Sequence, residues 1–428
     1  MSEEGRAGAS YGRPSGHRQG PPRPRASDIP GLYLGRLSPG PANAITDVPG
    51  VRVGHSTIVR GEGPLVPGRG PVRTGVTAVL PHEGNVFAEK VPAAVHVING
   101  FGKAVGLAQV MECGVLETPV LLTNTLNVGR VADALIGHMV AENPEIGIDT
   151  GTVNPVVAEC NDGWLNDIQG RHAGPEHVAE ALADARAADR VAEGAVGAGT
   201  GMSAFGWKGG IGTASRLVPA GEGRRYVLGA LVLSNFGAAP DLVVGGWPVG
   251  RYLTPPGEPD AGALQGEQGE PEGAPGHSER RGPAGTEGAG SVIVVLATDA
   301  PLDARQLRRV AVRAVVGLVR TGARLHHGSG DFVIAFSTAY RIPHTFEGRR
   351  RPEAGKEPAQ PPAPVSAARL PDDHPLINEL FVAAGEAVEE AVLNSLFQAH
   401  TVVGRDGHVR HALPVEEVAR LVERWRRA

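Results

Sequence analysis

Aromatic side chains are scarce: Phe, Trp and Tyr make up 4% of the 428 residues. Proteins that hold single-stranded nucleic acid stack bases on aromatic platforms, so this scarcity argues against that class. A basic excess is missing too. Lys and Arg number 41 against 46 Asp and Glu, a formal net charge of −5, which does not suit a phosphate backbone. Cysteine is nearly absent. Cys113 and Cys160 are the two in the chain. They form neither a disulfide framework nor a metal-binding spacing, and the expected setting is the reducing cytoplasm. No run approaches the roughly 20 apolar residues of a membrane helix. The opening MSEEGRAGASYGRPSGHRQG lacks the apolar stretch of a secretory signal. Neither nucleic acid nor membrane is therefore an expected partner.

Signs of a cofactor are also lacking. The histidines are scattered, and His326-His327 are adjacent rather than four apart, a poor metal pair. The glycine-dense GAGTGMSAFGWKGGIGTASR contains no GxxxxGK[ST] pattern. Those glycines read as sites of close backbone approach or positive φ. No cofactor and no metal is expected.

Glycine (61) and proline (36) are abundant and unevenly spread. Residues 1–28 read as a disordered tail. Residues 254–290, where Leu264 is the one apolar side chain besides alanine, read as a flexible insert. Residues 347–372 read as a second. What remains, roughly 340 residues, can bury a substantial core, and residues 29–428 are expected to form one domain.

Within that domain, strands and helices announce themselves by period. VPAAVHVING reads as a strand ending at Asn99-Gly100, and Lys103 to Glu112 has helical spacing. Pro175 opens a helix expected to run to about Ala192. RRYVLGALVLSNFG is a strand ending at Asn235. SVIVVLATDAPL begins another, and the following helix carries a capping pair, Asp303 and Gln306. Its apolar positions Leu307, Val310, Ala311, Ala314, Val315 and Leu318 make one face, with Gly322 suited to C′. DFVIAFSTA is a further strand. Helices from about Pro375 to Phe397 and from Val415 onward close the chain.

Gly290-Ser291 is the sharpest border in the sequence, because polar insert turns there into core strand. Scission between the two would give Ser291 a free α-amine beside its own hydroxyl. With an ordinary pKa of about 7.7–8.0, that amine is a competent base near neutrality. Ser329 and Asp331 flank Gly330 at the mouth of a strand, and alternation puts i and i+2 on one face. A hydroxyl and a carboxylate there can take up and pass on a proton. Asn235 at a strand end can donate to a developing oxyanion. Glu159, Asp162 and Asp167 in VVAECNDGWLND can hold a substrate ammonium. Each pattern also has an ordinary explanation. A serine can simply begin a strand, and Gly, Ser, Asp and Asn are common turn residues.

Taken in order, NAITDVPGVRVGH, TNTLNVG, GTGM with FGWKGGIGTASR, LVLSNFG, GSVIVVLATDAPL, GSGDFVIAFSTA and GRDGHVRHALP resemble the self-cleaving L-aminopeptidase/D-amino-acid esterase-amidase family, which includes β-aminopeptidases. The resemblance covers nearly the whole ordered chain. It implies an α+β fold: a four-layer αββα sandwich like that of the Ntn hydrolases but differently connected. It implies a precursor cut between Gly290 and Ser291 into an α chain (1–290) and a β chain (291–428), assembling as tetramers of αβ units. It places the nucleophile at Ser291, the helper pair at Ser329 and Asp331, the oxyanion donor at Asn235 and the ammonium-binding carboxylate at Glu159. The implied partner is a small peptide, amino-acid amide or ester. An ornithine-acetyltransferase-like acyl transferase and an amide-oligomer hydrolase share the fold, but both are associated with a threonine nucleophile. A binding protein that kept the fold without activity is a further alternative. The long acidic loop before the cut, Asp331 where some relatives carry Glu, and the 347–372 insert depart from the family pattern.

Overall fold

A computed structural model describes residues 23–258, 290–344 and 369–427. The first half of the chain supplies β1 (Arg52–Arg60), β2 (Val72–Leu80), β3 (Glu89–Gly100), β4 (Val115–Leu116), β5 (Val120–Asn124) and β6 (Val156–Cys160). The second supplies β7 (Ser203–Ala204), β8 (Trp207–Lys208), β9 (Gly210–Pro219), β10 (Arg225–Asn235), β11 (Ser291–Thr298), β12 (Gly330–Ser337), β13 (Ile342–Pro343), β14 (Val402–Val403) and β15 (Val409–Arg410). Helices are α1 (Leu107–Cys113), α2 (Val128–Glu142), α3 (Pro175–Ala187), α4 (Ala304–Arg320), α5 (Leu376–Phe397) and α6 (Val415–Arg427). One sheet has the order β1-β2-β5-β6. The larger runs β13-β3-β12-β11-β10-β9, with β4 attached to β3.

Strand alternation explains the layering. Along β11, Ile293, Val295 and Ala297 face the smaller sheet and pack with Val53, Val79, Leu122 and Ala158. Val292, Val294 and Leu296 point the other way, onto Leu307 and Val310 of α4 and Leu380 and Val388 of α5. The outer face of the smaller sheet, with Val76, Ala78 and Leu80, packs on Val131 and Leu135 of α2 and Val178 and Leu182 of α3. Three apolar interfaces separate four layers, the expected αββα sandwich. A β-strand buried on both faces reads as a near-continuous apolar run, which is why SVIVVLAT is legible.

Close approach sets the fit of α5. A Cβ on Gly212 of β9 would lie 1.9 Å from the Ala391 carbonyl, so only glycine lets helix and strand meet there. Helix α5 is buried nearly all round, including Glu386, Glu389 and Glu390. Arg216 answers two of these carboxylates: Nη1 lies 2.8 Å from Glu390 and Nε 3.3 Å from Glu386. Buried charges persist only when paired in this way.

Helix α4 begins and ends as the sequence predicts, whereas α3 and α1 do not. Helix α4 keeps its capping pair, with Gln306 N–H donating to Asp303 at 2.7 Å, and Gly322 sits at φ +99°. Val315 is only half-buried, whereas Gly317 lies inside. Helix α3 starts at Pro175 but stops at Ala187, because Ala188 turns extended. The alanine-rich stretch beyond offers no signal for that turn. Helix α1 begins at Leu107 rather than near Lys103. The Lys103 N–H is taken by Glu159 and the Val105 N–H by Val157, so the backbone there is committed to tertiary bonds.

The segments read as flexible are partly described. Residues 1–22 and 259–289 lie outside the described residues, as do 345–368. Residues 23–28, assigned to the tail by composition, pack on the body. Ala26 is fully buried, its N–H donates to Asn394 at 2.9 Å, and Arg25 pairs with Glu193 at 3.0 Å. Arg25 and Ala26, with Arg23 donating to the Phe397 carbonyl at 2.7 Å, supply that anchorage, which composition does not register. Residues 369–372 likewise dock on α4, where Gln306 donates to the Leu370 carbonyl at 2.7 Å.

Candidate active site

Three central strands of the larger sheet carry Ser291, Asn235 and Asp331, with Ser329 just ahead of β12, whereas Glu159 stands on β6 of the smaller sheet. Ser291 opens β11. Its antiparallel neighbour on β10 is Asn235, and its parallel neighbour on β12 is Gly330. The Gly330 N–H donates to Ser291 Oγ at 3.1 Å. That approach depends on a missing side chain, since a Cβ on Gly330 would lie 2.6 Å from the Gly102 Cα.

Ser329 and Asp331 fall on the same face, as alternation requires, and both are buried. Ser329 Oγ donates to Asp331 Oδ2 and also lies 2.6 Å from the His326 carbonyl. One hydroxyl hydrogen faces two acceptors, so the group can reorient without losing a partner. Burial pushes the Asp331 carboxyl up to about 6, opposed by hydrogen bonds from Ser329 and the Val292 N–H. At neutral pH the carboxylate form prevails and accepts.

Asn235 Oδ1 accepts from the Ser203 N–H at 2.9 Å, and Nδ2 donates to the Asn161 carbonyl at 3.0 Å. The amide is thereby held in one orientation, with a second Nδ2 hydrogen left to give. Asn161 follows β6, whose end carries Glu159. Glu159 is 2% exposed and accepts from the Lys103 N–H at 2.9 Å and from the Thr125 hydroxyl. The Cys160 thiol lies among these acids. Burial, then Glu159, Asp331 and Asp162, raise its pKa well above the ordinary value, so it is an inert thiol. The thiol itself donates to the Leu233 carbonyl at 3.6 Å.

The other acids named with Glu159 have different surroundings. Asp162 is fully buried, accepts from Asn166 at 3.0 Å, and is pushed up to about 7 by burial. Asp167 accepts from the Gly70 N–H at 3.1 Å and lies 3.0 Å from His172 Nε2, closing a loop. Among the described residues no group of His, Cys, Asp and Glu is arranged to hold a metal ion. No described helix is long and apolar enough to cross a membrane.

Four supporting residues were given no role by the sequence. Asn99 Nδ2 reaches the carbonyls of Ser329 at 2.6 Å, His327 at 2.9 Å and His326 at 3.0 Å, clamping the turn that carries Ser329. Lys208 is fully buried, and its ammonium donates to the carbonyls of Gly199, Met202 and Gly209. Burial lowers its pKa to about 7, against the attraction of Asp162. It gathers the glycine-rich loop that presents Ser203 to Asn235. Thr125 and Ser203 complete the set. Asn99 had a faint signal as the polar end of an apolar strand; a single lysine between glycines and tryptophan had none.

An αββα sandwich with a serine at the head of a central strand is the frame of an Ntn-type hydrolase, and comparison with known proteins narrows the class. The sequence profile of peptidase family S58 matches residues 43–410, and the chain belongs to that family. It is 40% identical over 404 residues to the β-peptidyl aminopeptidase BapA of Sphingosinicella microcystinivorans, covering 94% of this chain and 93% of that one. Among solved structures, a protein from Pyrococcus horikoshii OT3 shares 49% identity with a TM-score of 0.78, over 94% of this chain and 99% of that one. The L-aminopeptidase D-Ala-esterase/amidase of Ochrobactrum anthropi, described as a prototype of the serine aminopeptidases with a variant Ntn-hydrolase fold, shares 36% at a TM-score of 0.75, with 94% and 99% covered.

Proposed function

We propose that this peptidase cuts its own chain between Gly290 and Ser291 and then acts as an N-terminal-serine aminopeptidase on small peptides, amides or esters. The observation that carries the reading is the register: Ser291 stands between Asn235 and Gly330, with Ser329 and Asp331 one strand away.

In the uncut chain, Ser291 Oγ adds to the Gly290 carbonyl carbon while Asn235 Nδ2 meets the oxyanion. The C–N bond breaks, the Ser291 nitrogen gains the hydroxyl proton, and Gly290 is left as an ester on Oγ. Water cleaves that ester, giving a Gly290 carboxylate and a Ser291 with free amine and hydroxyl. The same oxygen then attacks the first carbonyl of a substrate whose ammonium is held by Glu159. The Ser291 amine, or Ser329 backed by the Asp331 carboxylate, accepts the proton, and the leaving amine takes it. Hydrolysis of the acyl-enzyme frees the amino acid. Glu159 makes the reaction exo-acting, because a carboxylate in a buried site demands a cation. The cytoplasm and a tetramer of αβ units belong to the same reading, supported by the two free thiols and the family resemblance.

The test is direct. Scaling the 44.3 kDa mass by chain length, wild-type protein resolves into fragments of about 30 and 14 kDa, the smaller beginning at Ser291. Ser291→Ala stays in one piece. If that variant still splits at the same bond, the nucleophile is another residue.

A further inference from the structure

One cluster next to the site has no part in the steps above. Arg410, on β15, is largely buried: its side chain is 11% exposed. Its guanidinium lies over the Trp164 ring, 4.9 Å from the centroid. That ring stacks on His408 at 3.8 Å and 7°. Arg410 Nε donates to Ser203 Oγ at 3.2 Å, and Nη1 donates to Glu258 Oε1 at 3.3 Å. Among the described residues, Nη2 meets no acceptor. Once Glu258 leaves Nη1, this planar, stacked guanidinium offers Nη1 and Nη2 together to a carboxylate on two parallel bonds.

Position gives this cluster its meaning. Asn235 is gripped from two sides. Its nitrogen points to Asn161, two residues beyond Glu159, whereas its oxygen accepts from Ser203, which carries Arg410 on its hydroxyl. The amide that would meet the oxyanion is thus linked at its nitrogen to the residue two beyond Glu159 and at its oxygen, through Ser203, to Arg410. A carboxylate is already there, because Glu258, 32 residues before Gly290, occupies the guanidinium in this chain.

We propose that Arg410 forms a carboxylate subsite on the leaving side, so that the preferred substrates are short peptides with a free C-terminus, and that Glu258 competes for it. This rests on the aminopeptidase reading given above. Stacking on Trp164 fixes the guanidinium plane, and the pairing with Ser203 ties it to the same element that holds Asn235.

The experiment compares a dipeptide with its own C-terminal amide, so that only the carboxylate differs. A charge-assisted pair in a desolvated site favours the acid in kcat/KM by about tenfold in the wild type. Arg410→Gln brings the acid-to-amide ratio to near one, and Arg410→Lys leaves it between the two. In Glu258→Gln the KM for the acid falls while that for the amide stays, a readout that does not require the arginine variants to fold. An acid-to-amide ratio equal in wild type and Arg410→Gln, or no change in either KM for Glu258→Gln, overturns the subsite while leaving the aminopeptidase reading intact. Hydrolysis of neither compound by the wild type overturns both.

Discussion

Gly330→Ala is the most informative single change, because its effect follows from one distance. Gly330 lies in strand β12 with ordinary extended backbone, so a methyl group is tolerated by the local conformation. The obstacle is contact. The added Cβ would meet the Gly102 Cα at 2.6 Å and the Gly102 nitrogen at 2.9 Å. Carbon atoms rest at about 3.5–4.0 Å, so either β12 or the loop at Gly102 must withdraw by about 1 Å. Neither can move harmlessly. If β12 retreats, the Gly330 N–H leaves Ser291 Oγ. If the loop retreats, Lys103 leaves Glu159, to which its N–H donates at 2.9 Å. Overpacking of this kind costs about 1–3 kcal/mol of stability, and a 1 Å displacement of reacting groups costs about 10²-fold in rate. The variant should fold, lose a few degrees in melting temperature, and slow both self-cleavage and turnover of an aminoacyl p-nitroanilide. Self-cleavage is followed by a time course on denaturing gels, turnover by absorbance. Processing and turnover within about threefold of wild type would show that the Gly330–Ser291 contact does not position the reaction.

Two further outcomes are expected. Asn235→Ala removes the oxyanion donor and should raise the barrier by about 2.7–4 kcal/mol, slowing processing and turnover together; a loss confined to one would separate the two reactions. Asp331 gives a pH signature of two parts. Its carboxyl titrates near 6 in the folded chain, above the ordinary value of about 3.9. Activity that relies on the carboxylate should therefore fall as pH drops through about 6. Between the two values the folded state holds more protons than the unfolded, so stability rises as pH falls from about 6 to about 4. Asp331→Asn should abolish that increment in chemical denaturation and remove the acid limb of the rate profile. An unchanged acid limb would exclude Asp331 as the titrating group.

Much of the frame was readable residue by residue. Continuous apolar runs located β10, β11 and β12, since each is buried on both faces. The Asp303–Gln306 cap and Gly322 delimited α4, because capping is chemistry between near neighbours. The pairing of Ser329 with Asp331 followed from two residues on one strand face. Less legible were the points where backbone groups leave for distant partners. Helix α1 was read as starting near Lys103, yet the N–H groups of Lys103 and Val105 belong to Glu159 and Val157. Residues 23–28 read as tail, although Arg25 and Ala26 are tied to the body by Glu193 and Asn394. A bond across 52 residues or more leaves no periodicity to read.

The same division runs through the site. Ser291 at the head of its strand, the polar insert before it and the hydroxyl–carboxylate pair on one face are properties of neighbouring residues, and local geometry alone specifies them. The placing of Asn235 beside Ser291, the position of Glu159 at the end of a strand of the other sheet, the clamp of Asn99, the buried ammonium of Lys208 and the guanidinium of Arg410 came from the fold. Strand register and the packing of one sheet on another set those distances, and both arise from the summed burial of side chains scattered along the whole chain.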